Sequence, residues 1–199
     1  LSRWAGALVD AVGARIPLVA GPAIAAAGFA LFAWPAIGGS YWTTFFPAVC
    51  VLGLGMTITV APLTTTVMNA VGAELAGTAS GVNNAVSRAA GLLAIAALGV
   101  LLGHLFDASL HDALAHAGLP AGAADSVFAQ RARLAAIAPP SGLAPELAAR
   151  VQHLVGTAFV AGFRGVMLAC AGLALAGAAS AWFLIDGRRA APSPQGQAR

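Results

Sequence analysis

Four long apolar runs set the plan of the chain. They cover residues 16–36, 43–71, 78–104 and 156–185, separated by two short turns and one longer mixed segment. A hydrocarbon core of about 30 Å needs roughly 20 apolar helical residues, so each run is long enough to span a bilayer. Lipid offers no water to bond backbone amides, which leaves helix as the form these runs take. Pro17 falls in the first turn of the first helix, where its missing N–H is harmless. The second run is longer than a span requires, and a tilt or kink is expected there. Residues 1–15 read as the end of a preceding span followed by a loop, and residues 186–199 as a polar tail. The chain opens on Leu1 beside a charged motif, without the basic leader and cleavage site of a signal peptide, and is expected to be a fragment of a longer protein.

Polar positions inside the runs are the candidate functional residues. The third run carries Ser80, Asn83, Asn84, Ser87 and Arg88. On a helix, Gly81, Asn84, Arg88 and Gly91 share one face, while Val82, Val86, Leu93, Ala97 and Val100 share another. An arginine inside a span marks a functional site by default; a snorkelling side chain is the plainer alternative. In the second run Gly55, Thr59, Pro62, Thr66 and Asn69 fall on one face. Pro62 leaves the carbonyl of Ile58 without its helical donor, so this face should meet protein or a water-filled cavity. Close helix contact through small residues is the alternative there. The same small-residue spacing recurs at Gly77 and Gly81, Gly99 and Gly103, and Gly162, Gly165, Ala169, Gly172 and Ala176.

Residues 105–155 carry a different pattern. Phe106, Leu110, Ala113, Leu114 and Ala117 recur at helical spacing opposite Asp107, His111 and Asp112. Val127, Phe128, Leu134 and Ile137 predict a second short helix ended by Pro139 and Pro140, and residues 144–155 a third piece. Short amphipathic helices lying on the outer surface are expected. His104, His111, His116 and His153 fit no metal-ligand spacing and read as solvated histidines.

Arginine placement orients the spans. Arg3 and Arg15 precede the first, Arg188 and Arg189 follow the last, and an even number of spans puts both ends on one side, the cytoplasm. Residues 37–40 and 105–155 then lie outside and residues 72–77 inside. Trp4, Trp34, Tyr41, Trp42 and Trp182 sit near the borders, as interfacial aromatics do.

Composition agrees: 59% of residues are hydrophobic and 9% charged, against about 25% charged in soluble chains. The chain is therefore expected to be an all-helical membrane bundle embedded in a cell membrane. Its basic residues are all arginine, without the basic runs and interleaved aromatics of a nucleic-acid binder. Cys50 and Cys170 lie in apolar runs and read as packing thiols. No phosphate loop, nucleophile elbow or metal-binding pair is present, so neither an enzyme nor a resident cofactor is indicated. A membrane transporter, or a non-transporting multi-span anchor or assembly subunit, remains.

The loop before the first span separates these. Gly6-Ala-Leu-Val-Asp10-Ala-Val-Gly13-Ala-Arg15 places an acid near the positive end of the incoming helix, a glycine suited to a tight turn, and a base able to pair with the acid. A plain cytoplasmic turn is the bland reading. Together with Gly53-Leu-Gly55 and Ala61-Pro62, the stretch Ala76-Gly77-Thr-Ala-Ser-Gly81-Val-Asn83-Asn84-Ala-Val-Ser-Arg88-Ala-Ala-Gly91, and Thr157-Ala-Phe159-Val-Ala-Gly162-Phe-Arg164, it resembles the second half of major facilitator superfamily transporters, in their fourteen-span drug:proton antiporter branch. The resemblance covers nearly the whole chain. It implies the last four spans of a multidrug exporter driven by the proton gradient, with partners in the missing N-terminal spans, the lipid bilayer and a small-molecule substrate. The first-half motifs credited with proton coupling are absent from this chain. The resemblance makes Gly6, Asp10, Gly13 and Arg15 the loop signature. Arg88, Asn84, Asn83, Thr59, Pro62, Thr66 and Asn69 remain the candidates for a transport pathway.

Overall fold

A computed structural model describes residues 13–185 apart from 14, 36, 39 and 70, with the side chains of 61, 65, 68, 69 and 73 also outside the description. Every regular element among the described residues is helical. Helix α1 covers Arg15–Phe32, with Pro17 in its first turn and Pro22 inside. A π-helical turn, Tyr41–Phe45, feeds directly into α2, Phe46–Asn69. A single 3-10 turn, Ala73–Leu75, leads to α3, Ala76–Ala115. The short α4, Ala123–Phe128, and a 3-10 segment, Arg131–Ala136, precede α5, Pro145–Leu184. Four of these helices are long and apolar enough to cross a membrane, and the chain is an all-α membrane bundle.

Two helices run further than the apolar runs. The sequence reading stops the third at residue 104 and starts the fourth at 156, whereas α3 and α5 are each 40 residues long, about 60 Å at 1.5 Å per residue. The helical spacing of Phe106, Leu110 and Leu114 is thus the continuation of α3, not a separate surface helix. Nothing at residues 103–105 stops a helix, and α5 begins where Pro145 occupies a first-turn position.

Helix α1 lies between α2 and α5, and α5 in turn contacts α3. The α1–α2 seam is built from glycine. A methyl group on Gly55 would come within 2.8 Å of the Ala25 Cα and the Gly21 carbonyl oxygen, and one on Gly28 within 2.7 Å of the Leu52 backbone. The paired numbers rise along one helix as they fall along the other, as antiparallel neighbours require. Lipid supplies no hydrophobic drive between helices, so van der Waals contact at short range has to hold this seam.

Elsewhere the packing is of another kind. Phe106, Leu110, Leu114, Val127, Ile137, Val151, Val155 and Ala158 form one buried cluster between the far ends of α3 and α5. Large side chains meet there, as in the core of a water-soluble domain. Gln130 closes the connecting loop by donating Nε2 to the Ala138 carbonyl at 3.1 Å. Leu134 is held at φ 52°, a conformation only sparsely open to a leucine. Its side chain packs against the same cluster.

Candidate functional site

The polar positions of α2 and α3 do not gather into one site. Thr59 lies in the seam with α1, where a methyl on Gly21 would come within 2.9 Å of its backbone nitrogen. Its Oγ1 donates to the Gly55 carbonyl at 2.7 Å. A hydroxyl tied back to its own helix fills space against the neighbour without an unpaired group in lipid. Pro62 is fully buried, and helix α2 continues through it. Thr66 is half-buried and donates to the Pro62 carbonyl at 2.8 Å. Helix α2 repeats this device at Thr57 and Thr64, bonded to the carbonyls of Gly53 and Val60. The side chain of Asn69 lies outside the described residues.

Between the end of α2 and the start of α3 there is an open groove of about 520 Å³. Its walls are Val67, Val71, Leu75, Thr78, Val82 and Val86, with Asn83 among them. The groove lies at the 3-10 turn that joins α2 to α3. Such a wall suits apolar surface, with one amide to orient a polar group. Asn84 and Arg88 point elsewhere. Both are exposed in this chain, as are Gly81 and Gly91 beside them, and so are Val82, Val86, Leu93 and Val100 on the other side. From Gly81 to Ala97 helix α3 is covered on almost no side by α1, α2 or α5.

Of the loop signature, Gly6 and Asp10 lie outside the described residues. Gly13 adopts φ 83°, which a side chain would strain. Arg15 opens α1 and reaches the far end of α5. Its Nη2 donates to the Trp182 carbonyl at 2.7 Å, and its guanidinium carbon stands 4.1 Å from the centre of the Trp182 ring. A cation belongs at this negative end of a helix.

Arg164 is the residue the sequence reading used only as part of a motif. It sits in α5 and donates Nη2 to the carbonyls of Pro35, at 3.1 Å, and Trp34, at 3.4 Å, just past the end of α1. Two arginines therefore tie α1 to α5, one at each end. The signal that could have found Arg164 is the one that drew attention to Arg88: a lone charge in an apolar, glycine-bearing helix.

Residues 1–107 match the family model described as Major Facilitator Superfamily. Among curated proteins, the chain is similar to the Multidrug resistance protein Stp of Mycobacterium tuberculosis in two strains, CDC 1551 / Oshkosh and ATCC 25618 / H37Rv. Each is 32% identical over 117 residues, which is 59% of this chain and 21% of the relative. The chain thus matches about a fifth of the length of these relatives. No solved structure matches it.

Proposed function

The chain belongs to the Major Facilitator Superfamily, and on that premise we propose that it is the C-terminal part of a secondary active membrane transporter, not an enzyme. In this reading the whole protein has fourteen spans and exports drug-like or other small amphipathic compounds in exchange for protons, by alternating access. The partial likeness to proteins named for multidrug resistance supports the substrate class. The observation that carries the reading is the polar face of α3. An arginine at the centre of a span costs roughly 2.5–3.5 kcal/mol on insertion scales, and among the described residues nothing covers Arg88 or Asn84. On this reading the face meets the N-terminal spans across the transport cavity. Both ends of the chain are on the cytoplasmic side of the cell membrane, and residues 105–155 outside.

The test is efflux by the complete protein carrying Arg88→Ala. Expression in the membrane is retained, because an apolar residue inserts more readily than arginine, and efflux falls at least several-fold. Arg88→Lys restores it only in part, since an ammonium lacks the guanidinium's planar fork. Normal efflux by Arg88→Ala at equal expression overturns the role of this face.

A further inference from the structure

We propose that the segment joining α3 to α5 carries a binding pocket of its own, suited to a small organic cation with one aromatic ring. It lies between the far end of α3 and the short helix α4, and its walls are His111, Leu114, Ala115, Ala124, Asp125 and Phe128. The pocket does not depend on the transport reading.

The first observation is that this part of the chain has a core to hold a site. Gly162 and Gly165 of α5 meet Leu102 and Leu105 of α3, near the level where Arg164 holds the carbonyls that follow α1. His111 lies nine residues beyond Leu102, about 14 Å along the helix. There Phe106, Leu110, Val127 and Val151 are each fully buried. The pocket opens on the flank of that cluster: Leu114 belongs to it, and Ala124 and Phe128 pack against it. Packing within the segment therefore fixes the walls, as a binding site requires. The match to the family model ends at residue 107, before the first lining residue, so family membership gives this pocket no role.

The second observation is its size and lining. The pocket measures about 320 Å³, at the low end for small-molecule sites. That suits a single ring with a short arm. Leu114, Ala115 and Ala124 supply apolar wall. The rings of His111 and Phe128 meet edge-on, with centroids 5.6 Å apart and planes at 76°, and form an aromatic corner.

The third observation is charge, which sets the sign of the ligand. Asp107 pairs with Arg131 at 3.6 Å, and Asp112 lies 3.7 Å from His116. Asp125 is in no ion pair among the described residues, and it is the carboxylate on the wall. The Arg131 guanidinium carbon stands 5.0 Å from the centre of the Phe128 ring, so this ring already attracts a cation. An ammonium group that reaches Asp125 lays its own ring against Leu114 and Phe128. An anion would face Asp125 with no arginine on the wall to offset it. A metal ion needs more donors than one carboxylate and one imidazole, and no group of three such side chains occurs among the described residues.

The test uses para-fluorophenethylamine, a primary amine, read by fluorine NMR with the complete protein in lipid nanodiscs. A nitroxide is placed at Ala108→Cys in a Cys-free background. Ala108 is exposed and lies one turn before His111 on the same face of α3. The nitroxide acts at short range, so it broadens the signal of amine in this pocket and not of amine held within the spans. Broadening is expected to saturate with amine concentration. An exposed ion pair is worth up to about five-fold in affinity, so Asp125→Asn should weaken binding about three- to five-fold. Ala115→Phe, which fills the pocket from an exposed position, should abolish it. Asp112→Asn, an exposed carboxylate on the same helix that does not line the pocket, should leave it unchanged. The uncharged para-fluorophenethyl alcohol should bind no better to the parent than the amine does to Asp125→Asn. Absence of saturable broadening, broadening unchanged by either Asp125→Asn or Ala115→Phe, or an alcohol bound as well as the amine, overturns the proposal.

Discussion

Replacing Gly55 by alanine tests the packing account most sharply. Alanine is the better helix former by about 1 kcal/mol, so at an open position the change is neutral or stabilising. Gly55 is not open. Its new methyl would lie 2.8 Å from the Ala25 Cα and the Gly21 carbonyl oxygen. These are backbone atoms and cannot rotate away, so α1 and α2 must part by a fraction of an ångström along the seam. Overpacking of this kind costs typically 1–3 kcal/mol. In lipid the loss is not offset elsewhere, because the seam depends on short-range contact. The net effect is a loss of up to about 2 kcal/mol. Gly53, two residues away, has nothing within 4 Å of the same methyl and supplies the control. The assay is the temperature at which detergent-solubilised complete protein loses its monodisperse chromatographic peak. Gly55→Ala and Gly28→Ala are expected to lower it by several degrees, and Gly53→Ala to leave it unchanged or raise it. Equal thermostability of Gly55→Ala and Gly53→Ala would refute the seam.

Three further outcomes are expected. Phe106→Ala removes a side chain with 0% exposure from the outer cluster, a loss of about 3–5 kcal/mol, and should speed tryptic cleavage at Arg131 and Arg133 in membranes open on that side; an unchanged cleavage rate contradicts the cluster. Arg164→Gln should lower thermostability more than Arg131→Gln, because Arg164 holds two carbonyls at the end of α1, whereas the Arg131–Asp107 pair has side chains 48% and 39% exposed and is worth about 0–1 kcal/mol. A cysteine at Ser109 in a Cys-free background should be labelled by an impermeant maleimide in intact cells, and one at Ser193 should not; the reverse pattern inverts the orientation.

The four spans were legible because lipid constrains sequence strongly: few charges, long apolar runs, aromatics at the borders. Their ends were less so. A helix does not stop where the bilayer stops, and with no glycine–proline break near His104 the helix carries on to Ala115. The spacing of Phe106, Leu110 and Leu114 was visible as helical, but which surface they bury depends on Val127, Val151 and Val155 far along the chain. The face of α2 was legible as a set but not in its role. Gly55 and Thr59 read equally as a pathway or as close contact, and the structure puts them against α1. Arg164 was missed because its partners are backbone carbonyls of Trp34 and Pro35, which no side-chain pattern announces. For Arg88 the sequence marked the residue as a lone charge in an apolar run, and the structure leaves it exposed on α3.

The central claim is export driven by a proton gradient, with Arg88 at the cavity. The most direct measurement is efflux of a fluorescent lipophilic cation from cells expressing the complete protein, before and after a protonophore collapses the gradient. The account predicts efflux that stops on collapse and is weakened several-fold by Arg88→Ala at equal expression. Efflux indifferent to the gradient, or no efflux from a well-expressed and folded protein, would contradict it.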